Sequence, residues 1–521
     1  MDKKPLISIS QEYFDEVCLD NAGIFELNEV DALQETIDQL RVQGSLDHLS
    51  LTFPTSKEGL EARDERSRVL TLIEDLNVSR NHLDKALREV KVILDSGRTH
   101  QLDMFLHHQG VEALVESSLG IAASDLELFD VWLQNILQLI AGPKPDKSSI
   151  QAFQLAMPEV MPYLLGVHHC LLQNGNRSET LVNLLRIMTW STKQCEVNKK
   201  TWMQLKNEGA DFLQILMETM DSCLIGDNDT WSQDVGHNLC RFVTSLCTFD
   251  DFQSPNKSSI AAPTIASTHA NVQAFAARQI VPKLHLYLQR NNDSAGILCL
   301  RALAVQDGIV QSMVAVGILE MTKAMFKKNV NLVADSEETL QMLTAIIGLF
   351  RNLSANDEIK TTLCIGNQSV LGNLLQAMEK YPSAASLQEH ACGTLAAMAL
   401  REPKNAEYLV GHDAHTWIVR AMRNHPQRSV LQRQAALALR NLVSRSPELR
   451  PNVLQTEAEV VLRTIAAKHA SCQDEVYAAL RDLGLPVSRM QVEHDASGEV
   501  VLRPTQMFGD AVNTRFRAVF E

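Results

Sequence analysis

QRQAALALRNLVSRSPELRPNVLQ, residues 432–455, places a charged Arg440 and an amide, Asn441, inside a helix made otherwise mostly of Ala and Leu. Apolar side chains recur there at spacings of three and four, the period of a helix with one buried face. The fold is decided by where this pattern returns. Upstream lie GTLAAMAL (393–400), IIGLFRNLS (346–354) and ILCLRALAV (297–305), and downstream YAALRDLG (477–484). Their anchoring apolar residues Leu303, Leu353, Met398, Leu442 and Leu483 are 50, 45, 44 and 41 residues apart. Repeats of about 40 to 47 residues are built from two or three helices that cannot bury their apolar faces alone and therefore stack.

Helical periodicity runs through nearly the whole chain, and alternating β-type runs are almost absent, so the spacing predicts an all-α protein. A second landmark keeps register. Gly110, Gly209, Gly317, Gly366 and Gly411 each separate a short helical stretch from an apolar one, where glycine supplies a left-handed turn between helices. The last repeat has Gln455-Thr456 at that place, which predicts a looser turn. The order within a repeat is then a short helix, a glycine turn, a second helix and a longer third helix. Third helices are expected near 124–140, 178–190, 231–247, 294–305, 336–354, 385–400, 428–443 and 472–483.

This order, the small residues of the third helix and its closing R-N-L resemble the armadillo repeat. More narrowly, ISQEYFDEV (9–17), DALQETIDQLRVQGSLDHLS (31–50), TFDD (248–251), LREPKN (400–405) and AALRDLG (478–484) are similar to the armadillo repeat-containing protein six family. The resemblance implies a right-handed armadillo superhelix, an α-solenoid of about eight repeats over 97–484. Ahead of it stand an N-terminal helical segment, 1–54, and capping helices, 55–96. LTLIEDLNVSRNHLDKALREVKVIL, 70–94, has the apolar stripe of such a cap. A C-terminal tail, 485–521, follows; within it VEHDASGEVVLRP reads as a short hairpin turning at Ser497-Gly498, against a disordered terminus as the other reading. Residues 249–270, rich in Ser, Pro, Ala and Thr, read as a long loop, either a plain insertion or a lid over a binding groove.

In an armadillo array the third helices line a concave groove, and a polar residue on each makes a ladder. Asn352 and Asn441 match in position, with Asp482 in the last repeat. An amide offers donors and an acceptor that can hold the backbone of an extended segment. One residue earlier lie Arg351, Arg440 and Arg481, with Arg301 and Arg186 at the same offset. These arginines read either as pairs with acidic residues of neighbouring repeats or as a basic strip for carboxylates and phosphates. The expected function is a non-catalytic scaffold binding an extended or helical protein segment. The alternative is a nuclear import adaptor of importin-alpha type, which grips basic peptides with a tryptophan four residues before each asparagine. Gly348 and Leu437 stand there instead.

With 521 residues, 45% of them hydrophobic and 21% charged, the chain can bury a large core. A net charge of -15 opposes general binding to nucleic acid or anionic membranes. No apolar run is long enough to span a bilayer or to serve as a secretion signal. The ten cysteines have no CxxC pair and no regular framework; they read as buried thiols in a reducing compartment, cytoplasmic with the nucleus as alternative. Nucleotide, hydrolase and metalloprotease motifs are missing, which predicts no enzyme and no cofactor. His168-His169 and His412-His415 lack the further ligands that a zinc site needs.

Overall fold

The computed structural model describes residues 11–24, 32, 35–36, 39–40, 68–76, 80–96, 99–142, 147–175, 178–207, 210–225, 230–248, 261–332, 336–487, 489–494 and 500–505. The described residues are helical apart from short connections and two small antiparallel hairpins, Lys206–Asn207 with Ala210–Asp211 and Arg489–His494 with Val500–Thr505. They belong to two compact units, Met1–Asn291 and Asn292–Glu521.

Long amphipathic helices stack side by side in each unit. In the first they are α1 (Arg80–Ser96), α2 (Leu126–Ala141), α3 (Ser178–Thr192) and α4 (Thr230–Cys247), each packed on the next. In the second they are α5 (Ser294–Leu303), α6 (Glu337–Leu353), α7 (Ala385–Ala399), α8 (Ser429–Val443) and α9 (Gln473–Asp482), again in sequential contact. All eight ranges in which a third helix was expected hold one of these. The anchors Leu303, Leu353, Met398, Leu442 and Leu483 are all buried, because a stacked helix loses its apolar stripe to water unless a neighbour covers it. The stretch 70–94 is two helices, 68–76 and α1, and α1 packs on α2 just as later stacked helices pack on each other.

The turn between first and second helices does adopt the left-handed conformation, but glycine supplies it only at Gly317 (φ 90°) and Gly366 (φ 99°). Elsewhere the residue is Gln109, Gln279, Asp413 or Glu457, with φ between 57° and 63°. Gly411 is therefore two residues short of the turn, inside Pro403–Gly411, and Gln455-Thr456 is followed by a turn as tight as the others. Gly110 has a different role: it is the first residue of Gly110–Glu116, and a side chain there would run into the Phe105 carbonyl and ring. Gly209 lies outside the described residues.

The expected long loop at 249–270 is shortened from its far end. Residues 261–277 form a helix, Ala261–Ala277, whose Asn271 amide donates to the Leu246 carbonyl of α4 at 2.9 Å. Its Ala-rich composition favours a helix despite Pro263, which sits in the first turn where a missing N–H does no harm. Of the two readings of the tail, the described residues show the hairpin strands rather than a terminus without structure there, with Glu493 opposite Val501 and His494 opposite Val500. The Ser497-Gly498 turn lies outside the described residues.

Candidate partner-binding face

The ladder asparagines are staples between neighbouring helices. Asn352 on α6 donates through Nδ2 to the Arg301 carbonyl of α5 at 3.0 Å, and Asn441 on α8 donates to the Ala396 carbonyl of α7 at 2.9 Å. Both acceptors lie in the last turn of their helix, where carbonyls have no partner four residues on. Thr394 Oγ1 on α7 donates to Ile347 of α6 at 2.9 Å. In the first unit Asn135 on α2, which the sequence reading passed over, donates to Leu87 of α1 at 2.8 Å. One N–H of Asn352 and of Asn441 is thus committed to the array.

The five arginines have different fates. Arg440 Nε meets Asp482 Oδ2 at 3.0 Å, and Arg481 Nη2 meets Asp482 Oδ1 at 2.8 Å, so one carboxylate serves both. Exposed Arg186, on α3, bonds Asn183 one turn away at 3.2 Å. Arg301 Nη1 donates to His390 Nε2 at 2.7 Å. Arg351 makes no hydrogen bond or ion pair among the described residues. The sequence alternatives therefore divide: pairing with a carboxylate of the neighbouring repeat describes Arg440, Arg481 pairs within its own helix, and neither pairing describes Arg301 or Arg351.

Two glycines make room for that second pair. A Cβ on Gly348 would stand 2.8 Å from Arg301 Nη1 and 2.8 Å from His390 Cδ2, and one on Gly393 would stand 3.1 to 3.2 Å from Arg351 Cδ, Nε and Nη1. Each guanidinium lies close against the bare backbone of the next stacked helix. These glycines occupy the place of the adaptor tryptophans, so an indole at 348 or 393 has no space. Burial first, and then repulsion between the two guanidiniums, pulls Arg301 below its ordinary range; burial does the same to Arg351, with Glu389 opposing it. Burial, then Arg301 and Arg351, holds His390 down to about 4, so its ring is a neutral acceptor.

Sequence reasoning also missed a glutamine series. Gln388 Nε2 donates to the Met378 and Tyr381 carbonyls at 2.8 and 3.0 Å, and Gln432 donates to Met422 and His425, both at 2.9 Å. Each is the fourth residue of its stacked helix and ties down the end of the preceding one. Their recurrence 44 residues apart was the available signal. Buried lysines tie chain segments together in a similar way. Lys199 Nζ reaches Glu196 at 2.9 Å and the Thr248 carbonyl at 2.6 Å, and Lys360 Nζ reaches Asp357 at 2.6 Å and the Leu400 carbonyl at 3.0 Å.

The paired histidines point apart. His168 is buried against Thr219 Oγ1 at 2.9 Å, while His169 meets exposed Gln173. His412 stacks on Tyr408, and His415 is buried.

Stacked three-helix repeats with inter-repeat amide staples define an armadillo-type α-solenoid. Residues 7–62 match the model of the Armadillo repeat-containing protein 6 N-terminal domain. Armadillo repeat-containing protein 6 of Homo sapiens is 23% identical over 417 residues, covering 77% of this chain and 75% of that protein. The Pongo abelii protein of that name is 23% identical over 414 residues, covering 76% and 75%. Solved structures give lower likeness. An engineered protein aligns with a TM-score of 0.45 at 15% identity, over 80% of this chain and 98% of its own. A chain from the structure described as "A conserved phosphorylation switch controls the interaction between cadherin and beta-catenin in vitro and in vivo" aligns at 0.43 and 15%, over 80% and 69%. The chain is thus similar to armadillo repeat-containing protein 6 over about three quarters of its length, and its fold is an all-α solenoid.

Proposed function

We propose that the second unit receives an extended or helical segment of another protein across α5 to α9, without catalysis. The observation that supports this most is the polar surface around Arg301, Arg351 and His390. It sits on glycines of the stacked helices and stays partly open to solvent. A purely structural array has little use for two half-buried guanidiniums that have no carboxylate within ion-pair distance among the described residues, since burying such a charge costs free energy unless it is paired. The free thiols of all ten cysteines suit a reducing cytoplasmic setting.

The test is a random-peptide selection on the immobilised full chain, followed by hydrogen exchange with a selected peptide bound. Slowed exchange concentrated in α5 to α9 supports the reading. Slowed exchange confined to the first unit, or no selectable peptide, rejects it.

A further inference from the structure

We propose that Arg301 and Arg351 form a receptor for an oxyanion carried by the bound segment, a phosphate monoester or a pair of adjacent carboxylates. This deepens the groove reading and rests on it. Arg440 and Arg481 show what completion looks like in this array, for Asp482 lies within 3.0 Å of both. At Arg301 and Arg351 the same offset on the helix carries no carboxylate within ion-pair distance among the described residues. Glu389 is the anion that acts on both, and Arg428 acts on Glu389 as well. Three cations thus face one carboxylate, and neutral His390 adds no charge.

The donors are unspent. A guanidinium offers five N–H groups; Arg301 gives one to His390 and Arg351 gives none. Gly348 and Gly393, not a counter-ion, fix where the two forks lie. Both arginines are only partly buried, so an anion arriving from solvent can reach them. Planar forks on adjacent helices suit the tetrahedral or paired oxygens of such a group, and a dianion matches the excess of two positive charges.

The test is calorimetric titration of the full chain with four probes: a neutral Gly/Ser peptide, the same peptide with one phosphoserine, the same peptide with Glu-Glu at that place, and inorganic phosphate. An anionic peptide should bind at least about tenfold tighter than the neutral one. Arg301→Met and Arg351→Met should each remove that advantage, and Arg186→Met should keep it. Without ligand, Arg351→Met should melt no lower than wild type, because a half-buried charge with no ion pair gives way to an apolar side chain. Preference for phosphoserine assigns the site to phosphate, and preference for Glu-Glu to carboxylates. Inorganic phosphate binding as tightly as the phosphopeptide overturns the peptide assignment. Equal affinity for all three peptides, or equal loss in Arg186→Met, overturns the receptor. That failure is separable from failure of the groove reading, because selected neutral peptides still report on the groove through hydrogen exchange.

Discussion

Asn441→Ala separates a staple from a ligand group. The substitution removes the 2.9 Å bond to the Ala396 carbonyl in a site where Asn441 is 7% exposed, so water cannot replace the lost donor. A buried acceptor left alone costs about 1–3 kcal/mol, and about 2 kcal/mol is the fair expectation for a last-turn carbonyl. For a unit of this size roughly 2–4 °C accompanies each kcal/mol, so melting followed by circular dichroism should fall by about 4–8 °C. Hydrogen exchange should rise most in α7 and α8, since repeat arrays feel a change chiefly through nearest neighbours. A variant with wild-type melting that loses a selected peptide would refute this reasoning and return the amide to the partner.

Further expectations can be measured on the same protein. Burial, with a smaller push from His169, holds His168 down to about 3, below its unfolded value near 6.5. Between those limits the unfolded chain binds a proton that the folded chain refuses, so stability is full above pH 6.5 and falls as pH drops towards 3; in His168→Gln, denaturant titrations across that window should flatten. Lys199→Ala strands the buried Glu196 carboxylate and should cost about 3–5 kcal/mol in urea unfolding, well beyond a surface lysine such as Lys404. Gly236→Ala drives a methyl into the buried Tyr287 ring and should destabilise by about 1–3 kcal/mol. Burial pushes the Cys364 and Cys392 thiols up to about 12, so a thiol reagent at pH 8 should label them only at the rate of unfolding, as mass spectrometry of the adducts will show.

The repeat was legible because its signal is covalent: a buried anchor must return once per repeat, and Leu353 and Leu442 do so in sequence before any contact is known. The left-handed turns were half legible. Gly317 and Gly366 announce them, but Gln109, Asp413 and Glu457 adopt the same backbone with no compositional mark, held there by the helices on either side. The polar ladder was seen as residues and misjudged as to use. Whether Asn441 faces a guest or the preceding helix depends on a carbonyl 45 positions away, and no periodicity states which way an amide points. Gly348 had been compared with tryptophan as something missing, and Gly393 had not been singled out at all. Only the packing shows that an arginine from the repeat before fills the space. Gln388 and Gln432 were overlooked because a single buried polar residue in an apolar stripe carries no signal until its recurrence is counted.

The staples have a direction. Asn352, Thr394 and Asn441 each give a proton backwards, so α6, α7 and α8 each add a hydrogen bond to the helix stacked before them. Such wiring makes the array a polar filament with unlike ends, and its far end needs a different solution. Arg450 provides it: from within the same repeat its Nε reaches the Asp482 carbonyl at 2.7 Å, closing the last turn of α9. Removing α9 would leave Arg440 of α8 without its carboxylate, whereas a further repeat grafted after Asp482 would have to displace Arg450 before it could dock.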